Sequence, residues 1–372
     1  MIPINQPTIG DEERREVLKV LDEKALTSAA KDGGKRVQDL ERLLKDYLKI
    51  KNVIAVNSGT AALYCALLAN GISPGDEVLL PSFTFVATAN AIIAAGGRPV
   101  FVDINREDYT IDTTDLKEKI TSKSKVIIPV HIYGHPSDMD EISEISSANS
   151  ITIIEDACQS LGSLYKGVQT GTMGQMSCFS FYASKVLTAG EGGAVATNDD
   201  DLADNLKMIR NHGMVEGYDT RVLGLNLRLP ELSAALAKVQ MNKLEKLLDA
   251  RKKNAELLTS LLLPSSRNSA RIRLPYENEN KRFNWYLYTV AFQNGHLRDE
   301  AQSMLLKNDI GATVYYNPPV DKTPYYQNMM QTATSNLKNT HLASENVLSL
   351  PVHPSVVPED LERIRTVIEK VI

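Results

Sequence analysis

Short apolar runs alternate with amphipathic stretches along the first half of the chain. Apolar runs of about four to eight residues bounded by turn residues are typical of buried strands, whereas apolar residues repeating every three or four positions are typical of helices. The sequence therefore predicts strands at 53–57, 77–80, 98–103, 125–130, 151–155 and 194–197. It predicts helices at 11–24, 37–48, 61–70, 87–95, 138–148, 200–211 and 231–263. This alternation favours an α/β fold with a mostly parallel central sheet flanked by helices.

The C-terminal part of the chain carries a second, smaller set of the same signals. A strand pattern covers 285–292, and helical patterns cover 299–308 and 358–371. We therefore predict a large domain over 1–250 and a smaller α/β domain over 251–372. Between these patterns, 323–339 is polar and rich in Asn, Gln and Thr, which predicts a mobile excursion.

One lysine stands between an alternating aromatic run and a cluster of glycines in the segment 178–193. The alternation predicts that Phe179 and Phe181 share one face of a strand. Glycines beyond the strand allow tight turns, so Lys185 is predicted to lie in a tight, partly apolar pocket. Desolvation disfavours the ammonium form, and a neutral lysine amine is a nucleophile that forms a Schiff base with an aldehyde. The alternative is an ordinary solvated lysine.

A turn with two hydroxyls lies between the strand predicted at 53–57 and the helix predicted at 61–70. The first N–H groups of a helix are free and its dipole is positive there, so this turn predicts an anion site. Gly59 allows a phosphate to approach the backbone, and Ser58 and Thr60 add hydroxyl donors. The alternative is that one of these hydroxyls only caps the helix.

Two further strand ends carry candidate chemistry. Phe83 and Phe85 follow the strand at 77–80, and either could cover a planar ring from one side. Asp156 follows the strand at 151–155, and functional groups project from the carboxyl ends of parallel strands. A carboxylate beside a pyridine nitrogen keeps that nitrogen protonated, as the chemistry of pyridoxal phosphate (PLP) requires. For Asp156 the alternative is a helix cap or a surface carboxylate.

The composition mainly excludes other classes of protein. The chain has 372 residues, 43% hydrophobic and 23% charged, which is typical of a globular protein large enough for more than one core. A formal net charge of -5 provides no basic field for nucleic acid, and no apolar run is long enough to span a membrane. Cys65, Cys158 and Cys178 are few and widely spaced, which predicts a reducing compartment, no disulfides and no metal cluster. The N-terminal residues show no basic region followed by an apolar core, so we expect no secretory signal and a cytoplasmic location.

Five segments occur in the order of a known enzyme family. They are Asn57-Ser58-Gly59-Thr60-Ala61-Ala62-Leu63, Pro81-Ser82-Phe83-Thr84-Phe85-Val86-Ala87-Thr88, Glu155-Asp156-Ala157-Cys158-Gln159, the run from Phe179 through Lys185 to Gly193, and Gly224-Leu225-Asn226-Leu227-Arg228. With these segments the chain resembles the PLP-dependent sugar aminotransferases of the DegT/DnrJ/StrS family, which have the fold-type-I aminotransferase architecture. The resemblance extends from Ile4-Asn5-Gln6-Pro7 to Leu350-Pro351-Val352-His353-Pro354, nearly the whole chain.

The resemblance implies a role for each matching residue around the cofactor ring. Lys185 holds PLP as the internal aldimine, and Asp156 pairs with the pyridine nitrogen. Gln159 lies against the cofactor near its ring oxygen. Phe85, rather than Phe83, stacks on the ring.

The resemblance also implies how the phosphate is held. Gly59, Thr60 and Ser180 contact it from the same chain. Asn226 reaches it from a neighbouring subunit, so the family implies a homodimer with shared active sites. Cys158 stands where alanine is common in the family, and we expect no change in chemistry from it.

The reaction implied is a ping-pong transfer of an amino group from an amino acid, L-glutamate, to a keto group of a nucleotide-linked sugar through the Lys185 aldimine. Lys185, once freed, is then the general base. The segment 130–140 is similar to that of GDP-perosamine synthases, which favours a 4-keto-6-deoxyhexose as acceptor. Four residues are hypothetical substrate contacts, namely Lys31, His131, Tyr315 and Tyr316.

Three alternatives stay open beside this prediction. A PLP-dependent sugar dehydratase shares the fold, but those enzymes carry histidine at the position of Lys185. An aminotransferase acting on a cyclitol ketone would carry the same residues. A regulatory protein that kept the fold without catalysis is disfavoured because both Lys185 and Asp156 are retained.

Overall fold

The computed structural model describes residues 1–268, 270–329 and 336–372. In this part of the chain the α-helices are α1 Asp11–Glu23, α2 Lys35–Leu48, α3 Gly59–Ala69, α4 Ala87–Ala94, α5 Thr113–Lys119, α6 Met139–Asn149, α7 Asp200–Arg210, α8 Glu231–Asn268, α9 Gly295–Lys307, α10 Pro324–Met329, α11 Lys338–Asn346 and α12 Pro358–Ile368. The strands are β1 Asn52–Val56, β2 Glu77–Pro81, β3 Arg98–Val102, β4 Ser124–Ile127, β5 Thr152–Asp156, β6 Leu164–Tyr165, β7 Val168–Gln169, β8 Met176–Ser180, β9 Gly193–Thr197, β10 Ile272–Arg273, β11 Lys281–Arg282, β12 Tyr288–Phe292 and β13 Val347–Leu350.

The central sheet has seven strands in the order β1-β9-β8-β5-β4-β2-β3. The run from β8 to β3 is parallel throughout, whereas β9 is antiparallel to both of its neighbours. β1 therefore points in the same direction as β8, and the carboxyl ends of six strands meet at one edge. The predicted mostly parallel sheet is confirmed, and its functional edge is the one where these strands end.

Helices cover both faces of this sheet, as alternation along β1 makes clear. Val53 and Ala55 pack into one apolar cluster, which includes Leu40 of α2. Ile54 packs into a second cluster, which includes Leu63 of α3. Successive strand residues point to opposite faces, so the two clusters are the two layers of core on either side of the sheet.

A second, antiparallel sheet has the order β10-β12-β13 and packs against the end of α8 and against α9 and α12. Its core also takes in Ile2, whose backbone forms a bridge with Ile310. α8 continues through residue 250, so the boundary predicted there falls inside one helix that contacts both cores. The division into 1–250 and 251–372 stays a prediction.

Two C-terminal predictions differ from the structure in detail. The strand predicted at 285–292 begins only at Tyr288, because the backbone turns at Trp285, which has a φ of +53°. The polar segment 323–339 contains α10 and the first residues of α11, and its residues 330–335 lie outside the described residues. None of the helices in the described ranges has both the length and the apolar content that crossing a membrane requires.

Candidate active site

The loop that carries the lysine leaves and returns at one edge of the central sheet. β8 ends at Ser180, which pairs with Gly193 at the start of β9. Residues 181–192 therefore form a closed excursion, tied at its base by the bond from Phe181 N to Gly192 O at 2.8 Å. Phe179 and Phe181 are 1% and 0% exposed, as the predicted shared face requires. This closure holds Lys185 directly above the strand ends.

A cavity of about 460 Å³ lies under this loop. The predicted residues that line it are Ser58, Gly59, Thr60, Phe85, Asp156, Gln159, Ser180, Lys185, Tyr315 and Tyr316. Residues without a predicted role in the site also line it, among them Thr84, Thr88, Cys158, Tyr182, Ser184, Glu191 and Tyr286. Ten predicted site residues from five separate stretches of chain thus meet in one place.

The floor of the cavity on one side is the N-terminus of α3. Ser58 is the N-cap of this helix, and its Oγ accepts a hydrogen bond from Ala61 N at 3.1 Å. The capping alternative is therefore realised, although Ser58 lines the cavity as well. A Cβ added at Gly59 would lie 2.8 Å from Ser180 Cβ and 3.0 Å from Cys158 Sγ. Only glycine leaves room there, so the backbone at the helix N-terminus stays open to an anion.

Asp156 stands at the end of β5 with its carboxylate held from two sides. The side chain is 5% exposed, Oδ1 accepts from Cys158 N at 3.1 Å, and Oδ2 accepts from Thr88 Oγ1 at 2.9 Å. Thr88 Oγ1 lies 3.0 Å from Thr84 Oγ1, which extends this chain of hydroxyls. A carboxylate that is fixed in this way can present its charge to a group inside the cavity without rearrangement.

Aromatic side chains also line the cavity, and the structure distinguishes the two phenylalanines between which the sequence pattern could not choose. Phe83 is 0% exposed and belongs to the core, whereas Phe85 is 55% exposed and lines the cavity. The Phe85 ring centroid lies 6.0 Å from that of Tyr316. Gln159 Nε2 donates to the Tyr316 hydroxyl at 3.4 Å, while Gln159 Oε1 accepts from Tyr133 N at 2.8 Å.

The cavity contains two candidate nucleophiles, the amine of Lys185 and the thiol of Cys158. The Lys185 Nζ lies 4.4 Å from the centroid of the Tyr286 ring, within the range of a cation–π contact. Burial raises the pKa of the Cys158 thiol well above its ordinary value, so this thiol stays protonated. Since a thiol reacts as its thiolate, the amine of Lys185 is the available nucleophile of the cavity.

Three predicted residues do not line the cavity of this chain. Asn226 is exposed, and its carbonyl oxygen accepts from Asn57 Nδ2 at 3.4 Å. Lys31 pairs with Asp204 at 3.2 Å outside the cavity. His131 is 0% exposed, with Nε2 2.9 Å from a carboxylate oxygen of Glu155. A ring buried in the protein interior cannot touch a substrate, so the structure does not support His131 as a substrate contact.

In this α/β fold, a lysine amine and a carboxylate at the end of a strand line the same cavity. This arrangement is typical of vitamin B6-dependent enzymes. The model of the DegT/DnrJ/EryC1/StrS aminotransferase family matches residues 7–371, and the chain belongs to that family. It is therefore an aminotransferase, as the resemblance implies.

Known relatives match over most of their length. The chain is 32% identical over 375 residues to GDP-perosamine synthase of Caulobacter vibrioides, covering 100% of this chain and 98% of that protein. It is 36% identical over 357 residues to a pleiotropic regulatory protein of Geobacillus stearothermophilus, covering 96% and 93%. It is 36% identical over 323 residues to the UDP-2-acetamido-2-deoxy-3-oxo-D-glucuronate aminotransferase of Pseudomonas aeruginosa, covering 86% of each.

The solved PLP form of Spr1654 from Streptococcus pneumoniae superposes with a TM-score of 0.90, at 27% identity and with 100% of this chain and 99% of that chain covered. PLP is the cofactor of this family. The residues present fit it: a glycine cradle at a helix N-terminus suits the phosphate, and a buried carboxylate suits a pyridinium nitrogen. Lys185 supplies the amine for its aldehyde.

Proposed function

We propose that the protein transfers an amino group from L-glutamate to the keto group of a nucleotide-linked 4-keto-6-deoxyhexose. The observation that carries this proposal is the meeting of Lys185 and Asp156 in one cavity with the glycine-lined N-terminus of α3. The relatives that support a sugar acceptor are the perosamine synthase and the 3-oxo-glucuronate aminotransferase. L-Glutamate as the donor rests on the family resemblance.

Bound PLP supplies an aldehyde that takes up amino groups and a ring that withdraws electrons from the carbon that loses its proton. Asp156 would keep the ring nitrogen protonated, because a carboxylate favours the charged form of a neighbouring base. With the cofactor bound, the Lys185 amine would take the proton from the α carbon of the donor and return it at the carbon that was the cofactor's aldehyde. The same two residues then serve in reverse with the keto sugar, which makes the sequence ping-pong.

The phosphate is proposed to lie at the N-terminus of α3. Gly59 and Thr60 present the first backbone N–H groups of the helix, and Ser180 faces them from the end of β8. The helix dipole stabilises negative charge at this end. With the phosphate held there, Lys185, Phe85 and Asp156 in the same cavity would be available to the aldehyde, the ring face and the ring nitrogen of the cofactor.

The tyrosines are proposed to contact the sugar. Tyr315 and Tyr316 line the cavity, each with an apolar ring and a hydroxyl. Burial raises the pKa of Tyr316 well above its ordinary value, so its hydroxyl remains a neutral donor and acceptor. Such groups can bind sugar hydroxyls through hydrogen bonds while the ring covers the apolar side of a deoxy sugar.

A homodimer with shared active sites is proposed from the charge of the cavity. Among the described residues that line it, Lys185 is the only lysine or arginine, whereas Asp156 and Glu191 are acidic. A nucleotide-linked sugar and a dicarboxylate donor both need positive partners. A second subunit that brings its own loop around Asn226 against this cavity would supply them, together with a phosphate contact from Asn226.

Mixed dimers test the shared site. Lys185→Ala and Asn226→Ala would each be inactive alone, and a mixed dimer would regain one complete site and part of the activity. Lys185→Ala mixed with a second lysine variant, Lys185→Met, is the control and stays inactive. Confirmed mixed dimers that show no rescue would exclude the shared site.

A panel of acceptors tests the substrate. Purified protein with L-glutamate is offered GDP-linked and UDP-linked 4-keto-6-deoxyhexoses, UDP-linked 3-keto hexoses and a cyclitol ketone, and release of 2-oxoglutarate is followed. Turnover of a 4-keto-6-deoxyhexose alone is the expected result. The 3-keto hexose is a second candidate, because the Pseudomonas relative is named for a 3-oxo sugar. Turnover of the cyclitol ketone alone would overturn the nucleotide-sugar proposal.

A further inference from the structure

A buried arginine that does not itself line the cavity is connected to the lysine segment. Arg251, on α8, is 2% exposed, and within the described ranges it forms no ion pair. Burial lowers its pKa to about 10, so the guanidinium remains charged in a site that does not neutralise it. Burying a charge without a counter-charge is unfavourable, and such an arrangement persists where the surrounding structure needs its hydrogen bonds.

The guanidinium holds a turn of the backbone. Arg251 Nη1 donates to the carbonyl oxygens of Trp285 at 3.4 Å and Tyr286 at 3.2 Å. Trp285 has a φ of +53°, a conformation that a bulky residue rarely adopts. This turn aims the Tyr286 ring at Lys185, whose Nζ lies 4.4 Å from the ring centroid. Arg251 thus fixes one side of the contact between ring and amine.

The same guanidinium also reaches the lysine loop through the N-terminal segment. Arg251 Nη2 donates to Asn5 Oδ1 at 2.9 Å, and Asn5 Nδ2 donates to the carbonyl oxygen of Ser184. Ser184 directly precedes the lysine, and its Oγ lies 3.1 Å from the Tyr286 hydroxyl. Arg251 is therefore hydrogen-bonded to the backbone that carries the Tyr286 ring. Through the Asn5 amide it is also connected to the backbone next to Lys185.

We propose that Arg251 and Asn5 are positioning residues that fix Tyr286 and Lys185 relative to one another, and that the Tyr286 ring holds the end of the Lys185 side chain in place when no cofactor is bound. The geometry requires an amide at position 5. Its oxygen accepts from the guanidinium while its nitrogen donates to the Ser184 carbonyl. Among side chains of this length, asparagine is the one that carries an acceptor oxygen and an N–H donor on the same carbon. The ring face favours an ammonium group placed over it.

We expect Asn5→Asp to reduce the reactivity of Lys185 without reducing the stability of the protein. A carboxylate at position 5 gives Arg251 a counter-charge, so the melting temperature of the apoprotein should stay the same or rise. The oxygen that replaces Nδ2 repels the Ser184 carbonyl oxygen and displaces the lysine loop. Gln6→Glu is the matched control, since Gln6 is the exposed neighbour and undergoes the same change of amide to carboxylate.

Capture of PLP by the apoprotein, followed by its visible absorbance and by borohydride trapping on Lys185, needs no sugar or amino donor. We expect Asn5→Asp to slow capture by about 10- to 100-fold, the cost typical of a reactive group displaced by about 1 Å, with Gln6→Glu unchanged. In the half-reaction with L-glutamate, kcat falls while KM stays within about threefold, because the donor contacts are untouched. A failed half-reaction with normal capture in the wild type would count against the donor and leave the positioning network intact.

Tyr286 provides the second pair of variants. Tyr286→Phe keeps the ring and loses only the hydroxyl contact to Ser184, so it should slow PLP capture by no more than about threefold, whereas Tyr286→Leu also removes the ring and should slow capture about tenfold. Wild-type capture by both Asn5→Asp and Tyr286→Leu would overturn the proposal. It is equally overturned if each variant loses capture only in proportion to a fall in melting temperature, since the network would then serve folding alone.

Discussion

The hydroxyl of Thr88, in the first turn of α4, donates a hydrogen bond of 2.9 Å to Asp156 Oδ2 at the end of β5. Thr84 lies four residues earlier and contacts the same hydroxyl. This bond leaves the Asp156 carboxylate little freedom to rotate away from the cavity. Thr88, supported by Thr84, therefore fixes the orientation of the carboxylate that is proposed to pair with the cofactor ring.

Thr88→Val tests this orientation. Valine keeps the shape of threonine but removes the donor, and a hydrogen bond to a charged group contributes about 1.5–3 kcal/mol. We expect kcat to fall about tenfold and PLP to remain bound, as measured by turnover and by absorbance. Thr88→Ser retains the hydroxyl and is the matched control. Equal losses in both variants would point to packing, and the hydrogen bond would then not be the cause.

Lys185→Ala removes the amine on which the reaction depends. The variant should show no imine absorbance with PLP, and borohydride should fix no cofactor on the chain. Loss of a general base alone costs about 100- to 10,000-fold, so kcat should fall at least that far. Lys322→Ala, at an exposed lysine, is the control and should retain both signals. Normal imine absorbance in Lys185→Ala would place the covalent bond on another residue.

Gly59→Ala tests the phosphate cradle. The added methyl group would lie 2.8 Å from Ser180 Cβ, so either the methyl group or Ser180 must move. Overpacking of this kind costs about 1–3 kcal/mol, which corresponds to a rise of about 5- to 150-fold in the Kd for PLP. Titration of the apoprotein with PLP measures this. Gly295→Ala, where the nearest atom is 3.4 Å away, should bind PLP as the wild type does.

His135 predicts how stability depends on pH. Desolvation lowers the pKa of His135 to about 3 from 6.5, with Asp108 opposing the shift and Lys281 adding to it. The unfolded chain therefore takes up a proton below about pH 6.5 that the native chain refuses, and stability falls as the pH drops from there toward 3. The slope from this group is at most about 1.4 kcal/mol per pH unit.

The free energy of unfolding in urea between pH 7 and pH 4.5 measures this slope. His135→Asn cannot take up the proton, so its free energy should fall less steeply with acid than that of the wild type. His296→Asn changes an exposed histidine and should leave the slope as it is. Identical slopes in all three proteins would show that the ring is not held neutral by the fold.

Most secondary structure was predictable because the local pattern and the tertiary demand agree. The helix predicted at 37–48 is α2, and the strand predicted at 53–57 is β1, each displaced by a residue or two at the ends. The strand predicted at 285–292 was too long because its first residues are apolar like a strand but turn at Trp285. That turn is held by Arg251, a contact between residues 34 positions apart that no local pattern reports.

The site shows the same limit. Alternation along the chain could not choose between Phe83 and Phe85, since both are aromatic and only packing buries one of them. Thr84 and Thr88 stand four positions apart, a spacing that could have indicated a contact between their hydroxyls. Nothing in the sequence near Asn5 or Tyr286 indicates that they meet the lysine loop, because both reach it through the fold.

The cavity wall is assembled from segments that begin at Ser58 and end at Tyr316. During synthesis the chain therefore lacks a complete site until its last segments have emerged and packed. A cofactor that binds only the finished arrangement stabilises it by mass action and withholds that stabilisation from every partly folded form. The supply of vitamin B6 would in this way affect the stability of the newly folded protein as well as its rate of reaction.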